Sequence, residues 1–412
     1  MAFVDAIARG PTRLRVLEAL RHRDFRLLFA GQAVSLVGDA AFLTALGWRT
    51  FTLAGSSKLG VVLLCQSTAL LATLLVGGVL ADRFSRRRMM IASDAVRLVV
   101  VAALAAVDAS GGLTFPLLAA FAAVVGLGDG LFYPAFGGMV PLLVEPRSIP
   151  SANALIGVAR WGSLLLGPIF AGFLYAPAGS ASVFAADAAS FLLSAALVAA
   201  TQPRVVERGV PESTLRGIAT GARYVAGVPW LWITISLFAV VLMLQFAPQQ
   251  VLLPKLVREH FHRGVESYAL LTTFLGLGTV AGTLLFGQLQ PRRRRGLLFY
   301  AVFTLNSLAL AGFALSPWYA LAGGLAVLRG ACIGFGVAVW ETMLMELVPE
   351  HLLSRVVSLD YFGSFGLMPV GLALSAAVAG VADPQTLIAG GALVSAPLFV
   401  AVLMRPWLRE VD

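Results

Sequence analysis

Three ionisable residues lie deep inside long apolar runs of the sequence: Asp39, Asp129 and Arg160. Asp39 lies between Arg26 and Arg49, roughly 20 and 15 Å from them along a helix that rises about 1.5 Å per residue. A charge at such depth in a membrane is costly and usually functional. Because a buried carboxylate can bind and release a proton, we expect Asp39 first and Asp129 second to carry protons, with Arg160 as counter-charge. The alternative is a static ion pair that fixes helix packing.

These residues need long apolar helices to hold them at that depth. The chain has 412 residues, of which 59% are hydrophobic and 12% charged, against about 25% charged in soluble domains. Apolar segments of about 20 residues, long enough to cross a bilayer, recur along almost the whole chain. We therefore predict an all-α integral membrane protein with twelve transmembrane helices in two blocks of six. The predicted divisions are an N-terminal arm (1–24), a first bundle (25–201), a central linker (202–228), a second bundle (229–404) and a C-terminal tail (405–412).

The basic residues predict the orientation. Most of the 30 lysines and arginines fall in short loops on one side of this arrangement, and such loops stay in the cytoplasm. Both termini and the linker are therefore expected to be cytoplasmic. The net charge of +9 comes from these clusters and not from one amphipathic face, so nucleic-acid binding is not expected. Cys65 and Cys332 lack metal-ligand spacing and are expected to be packing residues.

One loop carries a recognisable motif. The segment GVLADRFSRR at 78–87 resembles the G-x-x-x-D-R-x-G-R-R motif between helices two and three of the major facilitator superfamily, with Ser85 in place of a glycine. The resemblance implies two pseudo-symmetric six-helix bundles. Asp82 can accept hydrogen bonds at the N-terminus of span eleven, near Pro349 and His351, and so latch the cytoplasmic side shut. The alternative is that the arginines only set topology. The latch residues predicted are Gly78, Asp82, Arg83, Arg86 and Arg87, together with Asp94 and Arg97, which are three apart and expected to pair near the cytoplasmic end.

Two further stretches narrow the resemblance. Residues 21–57 and 141–174 are similar to a bacterial group that contains enterobactin exporters and macrolide efflux pumps. Within the second stretch, GPIFAG at 167–172 is similar to the antiporter motif G-P-x-x-G-G of helix five, with Ala171 in place of a glycine. Gly167, Pro168 and Gly172 are its matching positions, and small residues of this kind let helices approach closely. Ordinary helix packing produces similar patterns, and importers belong to the same superfamily.

Polar and aromatic residues of the second half are candidates for a substrate cavity. Gln245 and Gln249 are four apart and share a helix face, so both can offer hydrogen bonds to a drug-sized molecule. The other candidates are Phe246, Trp340, Glu341 and Tyr361. For the aromatic residues, packing or anchoring at the membrane interface is the alternative; for Glu341, it is contact between helices.

Together these features predict a secondary active exporter in a bacterial cytoplasmic (inner) membrane. It would move an amphipathic small molecule, such as a drug, macrolide or siderophore, by proton antiport and alternating access. No ATP-binding motif, nucleophile triad or HExxH site is present in the sequence, so no enzyme activity and no cofactor beyond the proton gradient is expected. We expect a monomer. The alternatives are a lysolipid flippase or importer of the same fold and, from another class, a receptor or scaffold.

Overall fold

The computed structural model describes residues 17–204, 214–289, 291, 293–405 and 408, and for 75, 76, 78, 79, 81–83, 150, 214–218, 350, 351 and 354 it describes the helical backbone alone. All regular elements of this described part are helices. They are α1 (Arg23–Arg83), α2 (Arg86–Ala109), α3 (Phe115–Leu143), α4 (Ile149–Ala199), α5 (Thr214–Gly227), α6 (Pro229–His260), α7 (Val265–Leu289), α8 (Arg295–Ala314), α9 (Tyr319–Leu347), α10 (Glu350–Phe365), α11 (Met368–Val378) and α12 (Pro384–Leu403). Single 3₁₀ turns, Glu18–Arg21 and Pro146–Ser148, precede α1 and α4.

Ten helical stretches in the described ranges are long and apolar enough to cross a membrane. Two of them, in α1 and α4, run for more than fifty residues, about twice what one crossing needs. Each contains one glycine with a non-helical backbone: Gly55 at φ 81° and ψ 173°, and Gly179 at φ 74° and ψ −178°. Only glycine adopts this region without strain, so the chain bends at these two positions.

The helices pack into two groups along the chain. In the first half, α1 packs against α3 and α4, and α2 packs against the same two helices. In the second half, α7 packs against α9, and α8 against α9 and α12. Of the five buried apolar clusters of the described residues, two lie wholly within 17–204 and two wholly within the second half, while the fifth joins Trp48 of the first half to second-half residues.

Glycines bring α7 and α9 into backbone contact. A Cβ added to Gly278 would strike the carbonyl oxygen of Val327, and one added to Gly330 would strike that of Leu275. Because the lipid-facing side offers no hydrophobic drive, close van der Waals contact between small residues holds such helices together.

The two halves meet beside Gly55. Trp48 stacks on Tyr268 of α7 with ring centroids 5.6 Å apart. A Cβ on Gly60 would lie 2.6 Å from the Cβ of Ala376 in α11. We call the end of the bundle where α1 bends the Gly55 end, and the opposite end, with Arg86–Arg88 and 293–295, the arginine-rich end. The second half of the predicted linker is helical, as α5. Residues 1–16 of the predicted arm, 205–213 of the linker and 406, 407 and 409–412 of the tail lie outside the described residues.

Candidate functional site

Arg97, halfway along α2, is the centre of a buried charge cluster. Its Nη2 lies 2.5 Å from Oδ1 of Asp94, and its Nη1 lies 2.9 Å from Oδ1 of Asp129 on α3. The side chains of Arg97 and Asp94 are 3% and 0% exposed. The planar guanidinium suits this arrangement because its donors form a rigid fork that can serve two carboxylates at once.

Aromatic rings and a polar chain complete the surroundings of Arg97. The rings of Phe132 and Phe191 lie with their centroids 4.5 and 4.4 Å from its guanidinium carbon, and such contacts stabilise a cation that has left water. Ser194 of α4 donates to Oδ2 of Asp94 at 2.7 Å, and Gln32 of α1 donates to the Ser194 hydroxyl at 2.9 Å. The cluster therefore joins four helical segments of the first half.

Asp39 lies at the edge of this cluster. It is half-buried on α1 and interacts electrostatically with Arg97, Asp129 and Asp94. Its neighbour Gly38 leaves room for α4, because a Cβ there would lie 2.5 Å from Oδ1 of Asp187. The predicted depth of Asp39 and Asp129 thus brings both to one site, and Asp39 is its partly exposed member.

Asp187 is a member of this cluster that the sequence analysis did not name as a candidate. It is 2% exposed and interacts electrostatically with Asp39, Arg97 and Asp129. Its Oδ1 accepts from Ser190 at 3.3 Å, while Oδ2 has no hydrogen-bond partner among the described residues. The available signal was Gly38, a small residue next to Asp39 that permits close approach of another helix.

The charge balance indicates what the cluster can do. Four carboxyl groups, those of Asp39, Asp94, Asp129 and Asp187, surround the single charge of Arg97. If all four were ionised, the group would carry three uncompensated negative charges in a largely buried volume, which is energetically costly. Bound protons or cations can balance these charges, so the arrangement is suited to taking up and releasing a small cation.

Arg160 lies elsewhere, which corrects its predicted pairing. It is exposed on α4 before the bend at Gly179, and its Nη1 donates to the hydroxyl of Tyr361 on α10 at 3.3 Å. No ion pair joins it to Asp39 or Asp129 in the described part of the chain, where Arg97 occupies that position instead. The reason is helix rotation: Arg160 has the right depth, but its face of α4 points across the space between the halves.

Glu341 and Tyr361 line this space, whereas Trp340 packs. Glu341 is exposed and interacts electrostatically with Arg160 and Asp360. Trp340 donates from Nε1 to Oδ2 of Asp360 at 2.9 Å, and its ring centroid lies 5.5 Å from those of Trp230 and Phe299. Trp340 therefore packs against neighbouring aromatic rings, which was the alternative to a cavity role.

Gln245 and Gln249 lie in the core of the second half and not on a cavity wall. They are 4% and 8% exposed. Gln245 donates to Ser307 at 2.8 Å, and Gln249 accepts from Arg329 at 2.8 Å. The π-helical turn Leu242–Phe246 changes the facing of these residues, while Phe246 is 39% exposed.

Comparison with known proteins assigns the chain to a family. The family model described as transmembrane secretion effector matches residues 15–412. The chain belongs to this family. It is similar to the multidrug efflux pump Tap of Mycolicibacterium fortuitum, with 25% identity over 94% of this chain and 96% of that protein. It is 26% identical to the enterobactin exporter EntS of Citrobacter koseri, over 81% and 80% of the two chains. It is 23% identical to macrolide efflux protein A of Streptococcus pyogenes, over 85% and 88%.

Solved structures agree with this assignment at the level of the fold. The nucleoside transporter NupG superposes with a TM-score of 0.71 at 12% identity, over 93% of this chain and all of the other. A bacterial homologue of the lysosomal transporter Spinster gives 0.66 at 14% identity, over 98% of each chain. This transmembrane secretion effector is therefore a multi-pass membrane transporter of the major facilitator superfamily, and not an enzyme.

The antiporter-like motif of the transporter lies at two helix contacts. A Cβ on Gly167 would strike that of Ala40, the neighbour of Asp39, and one on Gly172 would lie 3.1 Å from the Cβ of Ala269 in the other half. Pro168, between them in sequence, is buried. The motif thus positions α4 against both the charge cluster and the partner half.

The latch segment of the transporter is described in part. Arg86 donates to the carbonyl of Gly138 at 2.5 Å, and Arg87 donates to those of Val198, at 3.3 Å, and Ala199. Arg86 therefore ties α2 to α3, and Arg87 anchors the C-terminal end of α4, where the helix dipole favours cations. For Gly78, Asp82, Arg83 and His351 the structure describes the helical backbone alone, so the predicted latch contacts lie outside what it describes. The predicted Asp94–Arg97 pair is confirmed, but it lies halfway along α2, where Arg97 also pairs with Asp129.

Proposed function

We propose that this chain exports amphipathic small molecules from the bacterial cytoplasm across the inner membrane by proton antiport. Membership of an efflux transporter family supports export, and the names of its relatives include a multidrug pump, a siderophore exporter and a macrolide efflux protein. Their differing substrates favour a broad amphipathic class over one compound. The working unit is a single chain, because the space between the halves is formed within one chain.

The proposed topology has twelve crossings. The bends at Gly55 and Gly179 divide α1 and α4 into two crossings each, which raises ten helical stretches to twelve. The even number returns both termini to the arginine-rich end, which the positive-inside rule assigns to the cytoplasm. Because the halves meet beside Gly55, the space between them opens toward the cytoplasm in this state.

The observation that carries proton coupling is the cluster of four carboxyl groups around Arg97, with Asp39 at its partly exposed edge. Asp39 takes up a proton from the outside and releases it inside. Proton binding there removes one negative charge beside Arg97 and so changes the interactions that join α1, α2, α3 and α4. Alternating access follows when substrate and proton favour opposite arrangements of the two halves.

The test uses inverted membrane vesicles with an acidic interior and a pH-sensitive dye. At least one compound of a panel of macrolides, dyes and catecholate siderophores is expected to discharge the gradient through the wild type. Asp39→Asn is expected to abolish this response. Asp383→Asn is the matched control, since it changes a surface carboxylate that caps α12 and asparagine caps equally well.

An equal response from Asp39→Asn would reject Asp39 as the proton carrier. Labelled lysolipid that crosses the membrane through the protein, with no discharge by any compound, would instead support the flippase. Compound uptake in the opposite direction would support an importer, and no flux of any kind a receptor or scaffold.

A further inference from the structure

Arg160 and Glu341 present opposite charges to the space between the halves. Arg160 belongs to the first half and hydrogen-bonds across the gap to Tyr361 of the second. Glu341 of α9 interacts electrostatically with Arg160 and with Asp360. Both charged side chains are exposed, while the contact with Tyr361 shows that Arg160 faces the other half and not lipid.

The two charges do not neutralise each other by direct contact. No ion pair joins Arg160 to Glu341 in the part of the chain that the structure describes, although each is within electrostatic range of the other. The hydrogen bond that Arg160 donates to the neutral hydroxyl of Tyr361 is 3.3 Å long. Arg160 therefore has donors, and Glu341 acceptors, to offer to a molecule that enters between them.

Aromatic rings beside this pair provide a surface for a flat apolar body. Tyr361 and Phe365 are stacked with centroids 6.0 Å apart and are 42% and 38% exposed. Tyr133 of α3 is 47% exposed and lies within electrostatic range of Arg160. Rings on both halves thus adjoin the two opposite charges.

We propose that the substrate is an aromatic zwitterion, whose anionic group binds Arg160 and whose cationic group binds Glu341. This inference rests on the proposed export function and adds the substrate class. A purely cationic compound would meet repulsion from Arg160, and a purely anionic one repulsion from Glu341. A zwitterion pairs both charges, and the low dielectric of the membrane interior strengthens each contact relative to water.

The test measures equilibrium binding to purified protein in nanodiscs, without a proton gradient, by fluorescence anisotropy. The probes share one type of xanthene body: rhodamine B is a zwitterion, rhodamine 6G is its cationic ester analogue, and fluorescein is an anion. The wild type is expected to bind rhodamine B most tightly. Charge-assisted hydrogen bonds contribute enough that loss of one weakens binding by roughly tenfold to a hundredfold.

Variants separate the two contacts. Arg160→Gln is expected to weaken rhodamine B binding and to leave rhodamine 6G binding unchanged or stronger, whereas Glu341→Gln weakens both. Arg405→Gln and Glu266→Gln remove exposed charges at the end of α12 and the start of α7 and are expected to change neither affinity. Equal binding of rhodamine 6G and rhodamine B to the wild type, preference for fluorescein, or binding of none of the three would overturn the proposal.

The outcome is distinguishable from failure of proton antiport. If the charge preference holds but no compound discharges a pH gradient, the substrate site stands and the coupling proposal fails. If discharge occurs with cations alone and Arg160→Gln leaves every affinity unchanged, antiport stands and the zwitterion site is rejected.

Discussion

Substitution of Arg97 by methionine should destabilise the protein strongly, because it leaves Asp94 and Asp129 buried without their shared cation. Removal of one partner from a buried ion pair costs about 3–5 kcal/mol. Arg97 also contacts two aromatic rings, and each cation–π contact is worth about 0.5–2 kcal/mol. These terms overlap, so we expect a total loss of about 3–5 kcal/mol. Arg97→Lys keeps the charge but loses the planar fork, and should fall between methionine and wild type.

The second variant tests whether the loss comes from uncompensated charge. Asp94→Asn added to Arg97→Met removes the fully buried carboxylate while the amide oxygen can still accept from Ser194. The double variant should recover about 2 kcal/mol relative to Arg97→Met. Thermal unfolding in detergent, followed by tryptophan fluorescence, gives the order of stabilities. Arg147→Met is the control, because that side chain is 75% exposed.

Two results would refute this reasoning. If Arg97→Met unfolds at the temperature of the Arg147→Met control, the ion pair does not hold the helices. If the double variant is less stable than Arg97→Met by the full effect of Asp94→Asn alone, the two residues act independently and uncompensated charge is not the cause.

Three further predictions concern other parts of the fold. Arg49→Gln should lower the thermal unfolding temperature, because it leaves Asp108, whose side chain is 3% exposed, without the partner that lies 2.8 Å away; adding Asp108→Asn should restore part of the loss, and no recovery would contradict the pairing. Gly60→Val should prevent close contact between α1 and α11 and increase the population that is open at the Gly55 end. Labelling of a cysteine placed between these two helices measures that population. Gly157→Val is the control and should have no such effect, because Gly157 has no neighbour within 4 Å. The backbone N–H of Thr386 lowers the pKa of the Asp383 carboxyl below its usual value. The stability difference between the wild type and Asp383→Ala should therefore be full above about pH 5 and decline as the pH falls through that lowered pKa. A stability difference that stays constant down to about pH 3 would contradict an ionised cap.

Much of the fold follows from apolar segment length and the position of basic residues. Composition predicts membrane helices. Gly55 and Gly179, which can adopt a positive φ, stand at the bends of α1 and α4. The Asp94–Arg97 pair is also predictable, since a spacing of three places both on one helix face. Depth along a helix brought Asp39 and Asp129 to the same level, and the structure places them at one site.

Partners on other helices could not be predicted in the same way. Arg160 and Arg97 are both basic residues inside spans, and which of them meets Asp129 depends on the rotation of α4 relative to α3. Gln245 and Gln249 face inward because of a π-helical turn that their spacing does not reveal. Asp187 belongs to the site because Gly38 allows α4 to approach α1. This contact joins two residues that are 149 positions apart, so local sequence patterns do not reveal it.

The most direct test of proton-driven export is concentrative transport in proteoliposomes with a defined orientation. A zwitterionic dye should accumulate above its equilibrium level when the lumen is acidic, and a protonophore should abolish that accumulation. Asp39→Asn is expected to let the dye equilibrate without accumulating. Accumulation by Asp39→Asn at the wild-type level, or wild-type accumulation that is insensitive to the protonophore, would contradict proton antiport through Asp39.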